Sequence, residues 1–143
     1  MLRLTRKFTF EMAHALSGYD GACRHIHGHS YKLYVTVSGV PEEDETSPKL
    51  GMVIDFSELK KLVGRAIVDR YDHALVLKKG SLKEDFFSEL KSHWRVEEVD
   101  FQPTCENMIV DMFESLAQRM PEGVALYELK LYETENSYVT YRP

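Results

Sequence analysis

Apolar and polar residues alternate near the N-terminus. In Phe8-Thr9-Phe10-Glu11-Met12-Ala13-His14, the apolar side chains Phe8, Phe10 and Met12 share one parity, and His14 continues it. A second alternating run, Tyr31-Lys32-Leu33-Tyr34-Val35-Thr36-Val37, follows His27-Gly28-His29. Side chains two apart on a strand point to the same face. The pattern therefore predicts paired strands over 2–14 and 27–38, with the three histidines on the apolar face. Period-two signals return at 124–134 and 137–142, with Glu135-Asn136 as the turn, and 50–54 is expected as a short strand. Helical spacing takes over at Phe56, Leu59, Val63, Ala66 and Ile67, running to about Arg70. Asp55 is its N-cap, and Glu58 sits where a capping box places a carboxylate. Thr104 caps a second helix with Ile109, Met112, Phe113 and Leu116 as its buried stripe, ended by Pro121 to Gly123. Residues 41–49 are a charged loop between prolines. The segment 80–96 is ambiguous, with a short helix carrying Phe86, Phe87 and Leu90 as one reading. Strands flanking helices predict an α+β layer: an antiparallel four-stranded sheet with both helices packed on one face. Its open edges call for pairing with another subunit, so a homo-oligomer is expected.

Composition narrows the class without changing this picture. At 143 residues, residues 1–143 form a single expected domain. Hydrophobic and charged fractions of 43% and 29% are those of a soluble globular chain. A net charge of −5 gives no support to a nucleic-acid-binding surface. No apolar run approaches the roughly 20 residues that span a bilayer, and no secretory signal is evident, so no membrane partner and a cytoplasmic location are expected. Two cysteines, Cys23 and Cys105, make no disulfide framework.

The chemistry concentrates in Cys23-Arg24-His25-Ile26-His27-Gly28-His29, with His14 upstream. If the two strands pair, His14, His27 and His29 can meet on one divalent ion. Three imidazoles with an open position describe a catalytic zinc site; with Cys23 as fourth ligand they would instead make a closed structural one. Cys23 lies in a glycine-containing loop and could serve as base or nucleophile. A metal-free Cys/His hydrolase using Cys23 and His73 is a further alternative. Asp72-His73 places a carboxylate beside an imidazole, which can set its tautomer; the plainer reading is a surface pair in a helix-to-strand turn. Glu133 shares parity with Tyr127, Leu129 and Leu131, so it ends a strand on its apolar face and needs a partner there. A ligand with two adjacent N–H donors would serve, as would an arginine. Glu106 is an acid in the first turn of its helix. Cys105 is expected to pack at that helix start.

Taken in order, Phe8-x-Phe10-x-x-Ala13-His14, Cys23-x-x-x-His27-Gly28-His29, Gly51-Met52-Val53-Ile54-Asp55-Phe56, Asp72-His73, Pro103-Thr104-x-Glu106-Asn107 and Glu133-Thr134 resemble the 6-pyruvoyl-tetrahydropterin and 6-carboxytetrahydropterin synthase family. The resemblance runs over nearly the whole chain. It implies a T-fold (tunnelling fold) whose sheets join into barrels, as a homohexamer with active sites between subunits. It implies Zn2+ on His14, His27 and His29, with Cys23 as general base and His73, supported by Asp72, tuning or relaying its proton. Glu133 would anchor the pterin, and Glu106 and Thr104 would help shape its pocket. The implied substrate is 7,8-dihydroneopterin triphosphate. The tight spacing between Cys23 and His27 resembles the carboxy-forming, queuosine-precursor branch; the pyruvoyl-forming synthase is the nearest rival, and a non-catalytic zinc- or pterin-binding module is a rival of another class.

Overall fold

Two long strands form the centre of the sheet. β1 (Leu2–His14) runs antiparallel to β2 (His27–Gly39) in a register that sets His14 opposite His27 and Met12 opposite His29. Alternation dictates which way each residue faces. Phe10, Met12, Tyr31, Leu33, Val35 and Val37 are buried, whereas Thr5, Lys7, Thr9 and Glu11 are exposed. The computed structural model describes all residues, Met1–Pro143.

Four further strands complete the sheet: β3 (Ala74–Lys78), β4 (Val96–Val99), β5 (Val124–Tyr132) and β6 (Tyr138–Tyr141). The order is β4-β3-β1-β2-β5-β6. The four antiparallel strands match the sequence expectation, and β3 and β4 extend the sheet by parallel pairing beyond β1. The expected four-stranded sheet is thus six-stranded. β4 escapes sequence reading because its four residues, Val96-Glu97-Glu98-Val99, carry two acids at the centre. Residues 50–54 are not a strand: Gly51 takes φ +80, a left-handed conformation that breaks an extended run.

One face of the sheet is covered by helices. α1 (Phe56–Val63) continues through a π-helical turn (Gly64–Val68) into the short α2 (Asp69–Tyr71), so the apolar stripe reaches the predicted end. The Asp55 carboxylate caps it by accepting from Ser57 N–H at 2.7 Å. Phe56, expected in the stripe, is instead 48% exposed, because it precedes the first turn that touches the sheet. α3 (Glu84–His93) is a third helix, in the ambiguous segment, and buries Phe87 while leaving Phe86 outside. α4 (Cys105–Ala117) starts at Thr104, whose hydroxyl accepts from Asn107 N–H. Leu59, Val63 and Ile67 meet Met108, Ile109, Met112 and Leu116 over the inner face of β1, β2 and β5. Each such side chain contributes about 1.5–3 kcal/mol on leaving water. Arg70 ties this layer to the sheet edge, pairing with Glu97 at 2.6 Å and with Asp111 at 2.8 Å, while Tyr71 donates to the same Asp111 carboxylate.

Candidate active site

The strand pair delivers what its parity promised. His14 ends β1, His27 and His29 open β2, and their ligand atoms all lie within 4.8 Å of one another. Two of the three rings are oriented by backbone carbonyls: His14 Nδ1 donates to Pro103 O at 2.7 Å and His27 Nδ1 donates to His25 O at 2.7 Å. A carbonyl can only accept, so each ring carries its proton on Nδ1 and presents a lone pair at Nε2. These two Nε2 atoms face each other at 3.1 Å. The third ring, His29, has its Nε2 buried with no hydrogen-bond partner. Burial pushes the pKa of His14 and of His29 below 6.5, which keeps both rings neutral.

Lone pairs converging in a desolvated place repel unless a cation sits among them. Two nitrogens bound to one tetrahedral zinc stand roughly 3.3 Å apart, so the donor set and its second shell fit Zn2+. Cys23 is not in the cluster. Its place is a 3-10 turn (Ala22–Arg24), exposed to solvent. The fourth-ligand reading of Cys23 therefore has no geometric support.

A cavity of about 340 Å³ opens beside the cluster, and His14, Cys23, Thr104, Glu106 and Glu133 all line it. Glu133 lies one residue past β5, where its N–H donates to Ser137 O and closes the turn toward β6. Its carboxylate keeps the inward parity and comes within 3.7 Å of Nε2 of both His14 and His29. Glu106 sits in the first turn of α4, where the helix dipole favours an acid. Cys105 is buried and lines the same cavity; desolvation first, and then the Glu133 charge, push its thiol up to about 12.

Asp72 and His73 are set elsewhere. His73 holds a left-handed backbone at φ 59, fixed by its N–H donating to Glu11 O at 2.6 Å. Its ring is 76% exposed, 3.0 Å from the Asp72 carboxylate. Asp72 also accepts from Glu11 N–H at 2.9 Å; that bond and, to a smaller extent, the one to His73 hold its carboxyl below the usual range. The His73 ring lines a different cleft, of about 510 Å³, with His29, Trp94 and Arg95. Within one chain, then, the structure gathers Cys23, Glu133, Glu106 and Thr104 at the histidine cluster and leaves the Asp72–His73 pair outside their cavity.

A match to the 6-pyruvoyl tetrahydropterin synthase family model covers residues 3–143. The chain belongs to that family, a family of pterin-forming lyases. It is 35% identical to the 6-carboxy-5,6,7,8-tetrahydropterin synthase of Haemophilus influenzae, over 99% of either chain. It is also 35% identical to the human 6-pyruvoyl tetrahydrobiopterin synthase, over 81% of this chain and 66% of the relative. Among solved structures, the Caenorhabditis elegans 6-pyruvoyl tetrahydropterin synthase superposes with a TM-score of 0.69 at 27% identity, covering 99% of this chain and 95% of the other. An uncharacterised Wolinella succinogenes protein shares the fold, with a TM-score of 0.77 at 21% identity and 97% of that chain covered. The T-fold expectation is thereby met.

Sequence reasoning missed several parts of the site. Tyr19, Ser137 and Tyr138 line the cavity from a loop, a turn and an edge strand; the period-two signal over 137–142 covers the last two but does not show that they face the cavity. Gln102 is a two-point strap, donating to Ser17 O at 2.7 Å and accepting from Ser17 N–H at 3.2 Å, so it fixes the loop that carries Cys23. The carbonyls of Pro103 and His25 orient the ligand rings, and a carbonyl leaves no residue-type signal. Only the position of Pro103, immediately before the capping Thr104, pointed there.

Proposed function

We propose that the chain is a zinc-dependent 6-carboxy-5,6,7,8-tetrahydropterin synthase. It acts on 7,8-dihydroneopterin triphosphate in the cytoplasm and releases acetaldehyde and triphosphate, a step toward queuosine and other 7-deazapurines. The observation that carries this reading is the convergence of three imidazoles, a free thiol and an inward carboxylate at one cavity. The near-complete length match to a carboxy-forming relative favours this branch over the pyruvoyl-forming one.

His14, His27 and His29 would hold the zinc. When bound there, zinc supplies Lewis acidity toward the substrate's side-chain hydroxyl oxygens. The chain's own residues do the rest. The Glu133 carboxylate accepts from the pterin 2-amino group and the adjacent ring N–H, fixing the side chain toward the cluster. Thr104 and Glu106 bound the pocket. Cys23 stands at the cavity wall to take a proton from the side-chain carbon. His73, oriented by Asp72, is a proton relay, and since it faces another cleft it would reach the Cys23 of a neighbouring subunit in a homohexamer.

Incubation of the zinc-loaded protein with dihydroneopterin triphosphate tests the reading. Acetaldehyde and a 6-carboxy product are expected, and chelation should abolish both. A pyruvoyl product without acetaldehyde would assign the rival branch. Turnover that survives thorough chelation would exclude the zinc lyase altogether.

A further inference from the structure

The cavity that would take the pterin ring is unsuited to the rest of the substrate. It carries Glu106 and Glu133, and no lysine or arginine lines it. A triphosphate brings several negative charges, and like charges at close range in a partly desolvated site repel. A zinc ion on the histidines would at most offset the two carboxylates, so the phosphates call for cations from outside that cavity. Arg24, next to Cys23, is poorly placed: its Nε donates to His25 at 3.3 Å, and its side chain lies in a groove of Leu82, Phe86 and Leu90.

Arg95 is placed differently. It lines the cleft that holds His73, and its guanidinium makes none of the ion pairs that occupy Arg70, Lys32, Lys49 and Lys91. Its backbone is nonetheless fixed, because Arg95 O accepts from Leu75 N–H at 2.9 Å as β4 begins. Of the acids nearby, Glu11 already accepts from the Ser30 hydroxyl at 2.7 Å, and Asp72, which feels the Arg95 charge without forming an ion pair with it, is held by Glu11 N–H and His73. A guanidinium without an ion pair, on a fixed backbone, is suited to bidentate capture of a phosphate. It also shares its cleft with the relay histidine assigned above.

We propose that Arg95 binds the substrate's triphosphate, presented together with His73 by one subunit to the Cys23 cavity of its neighbour. The proposal rests on the pterin-triphosphate reading and adds the residue that recognises the phosphates. Trp94, the chain's single tryptophan, lines the same cleft and is 65% exposed, so its emission reports on anion binding without turnover.

The experiment uses the zinc-loaded oligomer as wild type, Arg95→Ala and Arg95→Gln, the last preserving the side-chain stem. Two quantities are measured: the Trp94 emission change on titration with inorganic triphosphate, and KM and kcat for dihydroneopterin triphosphate. Both variants are expected to lose the triphosphate response and to raise KM about tenfold or more, with kcat changed much less. Wild-type KM and an intact triphosphate response in both variants would overturn the proposal while leaving the lyase reading standing. A wild type with no turnover, but with an Arg95-dependent triphosphate response, would keep the anion site and remove the lyase reading instead.

Discussion

Two clefts on this chain both touch the end of β1 and differ in nearly everything else. The first holds Cys23, Glu106 and Glu133, is shaped by loops and strand ends, and has acids without a basic counterpart. The second holds His73 and Arg95, is shaped by the parallel addition of β3 and β4, and has its acids already engaged. One offers two carboxylates and a thiol beside the histidine cluster; the other offers a guanidinium and an exposed imidazole. On the proposed reading, neither cleft alone would both hold a pterin triphosphate and pass its protons. The division explains why a T-fold subunit would need a neighbour for chemistry as well as for covering sheet edges.

Mixing subunits would break this comparison most directly. Cys23→Ala and His73→Ala homo-oligomers should each lose roughly 10²–10⁴ in kcat, as expected for a missing proton-transfer group. Both should keep their zinc, because neither residue belongs to the histidine cluster. Refolded together in equal amounts, they should regain about a quarter of wild-type activity, from interfaces that pair an intact cavity with an intact cleft. A mixture as inactive as its parents would show that each subunit works with its own His73.

Next in size is Glu133→Gln, which keeps the shape of the acceptor and removes its charge. Loss of a charge-assisted pair should raise KM about 10- to 100-fold while kcat changes little. Zinc content, measured by metal analysis, should be unaffected, since Glu133 stands 3.7 Å from the nearest ligand nitrogens. A kcat effect as large as that of Cys23→Ala would move Glu133 from holding the ring to transferring protons.

The first cleft was far more legible in the sequence than the second. Parity in two strands sufficed to bring His14, His27 and His29 to one face, because a strand's side-chain period is fixed by its geometry. The same reasoning turned Glu133 inward. Caps at Asp55 and Thr104 were readable because side-chain-to-backbone bonds are local. His73 and Arg95 depend on a crossover that lays β3 beside β1 and β4 beside β3, and nothing local announces it. The four residues of β4 are half acidic, Trp94 is exposed, and the left-handed φ of His73 belongs to a residue type that gives little warning of it. A parallel neighbour is tertiary information, so the sequence showed Asp72-His73 as a motif without showing which wall it would line.

The smallest test separates two thiols within the first cleft. Cys23 is exposed, whereas Cys105 is 7% exposed, donates weakly to Leu131 O at 3.5 Å and is pushed up to about 12. Burial disfavours its thiolate, and the negative charges of Glu133 and Glu106 act in the same direction, so Cys105 stays protonated throughout the range in which the fold would be handled. Alkylation with iodoacetamide at pH 8, read by mass spectrometry, should therefore add one group per chain at Cys23 and reach Cys105 only after denaturation. Raising the pH to 9 should not change that stoichiometry, because the thiolate fraction at Cys105 remains small until the pH nears 12. Modification of Cys105 in the native protein at pH 8 would mean that the cavity wall opens. The buried setting that keeps the Cys105 thiol protonated would then be lost.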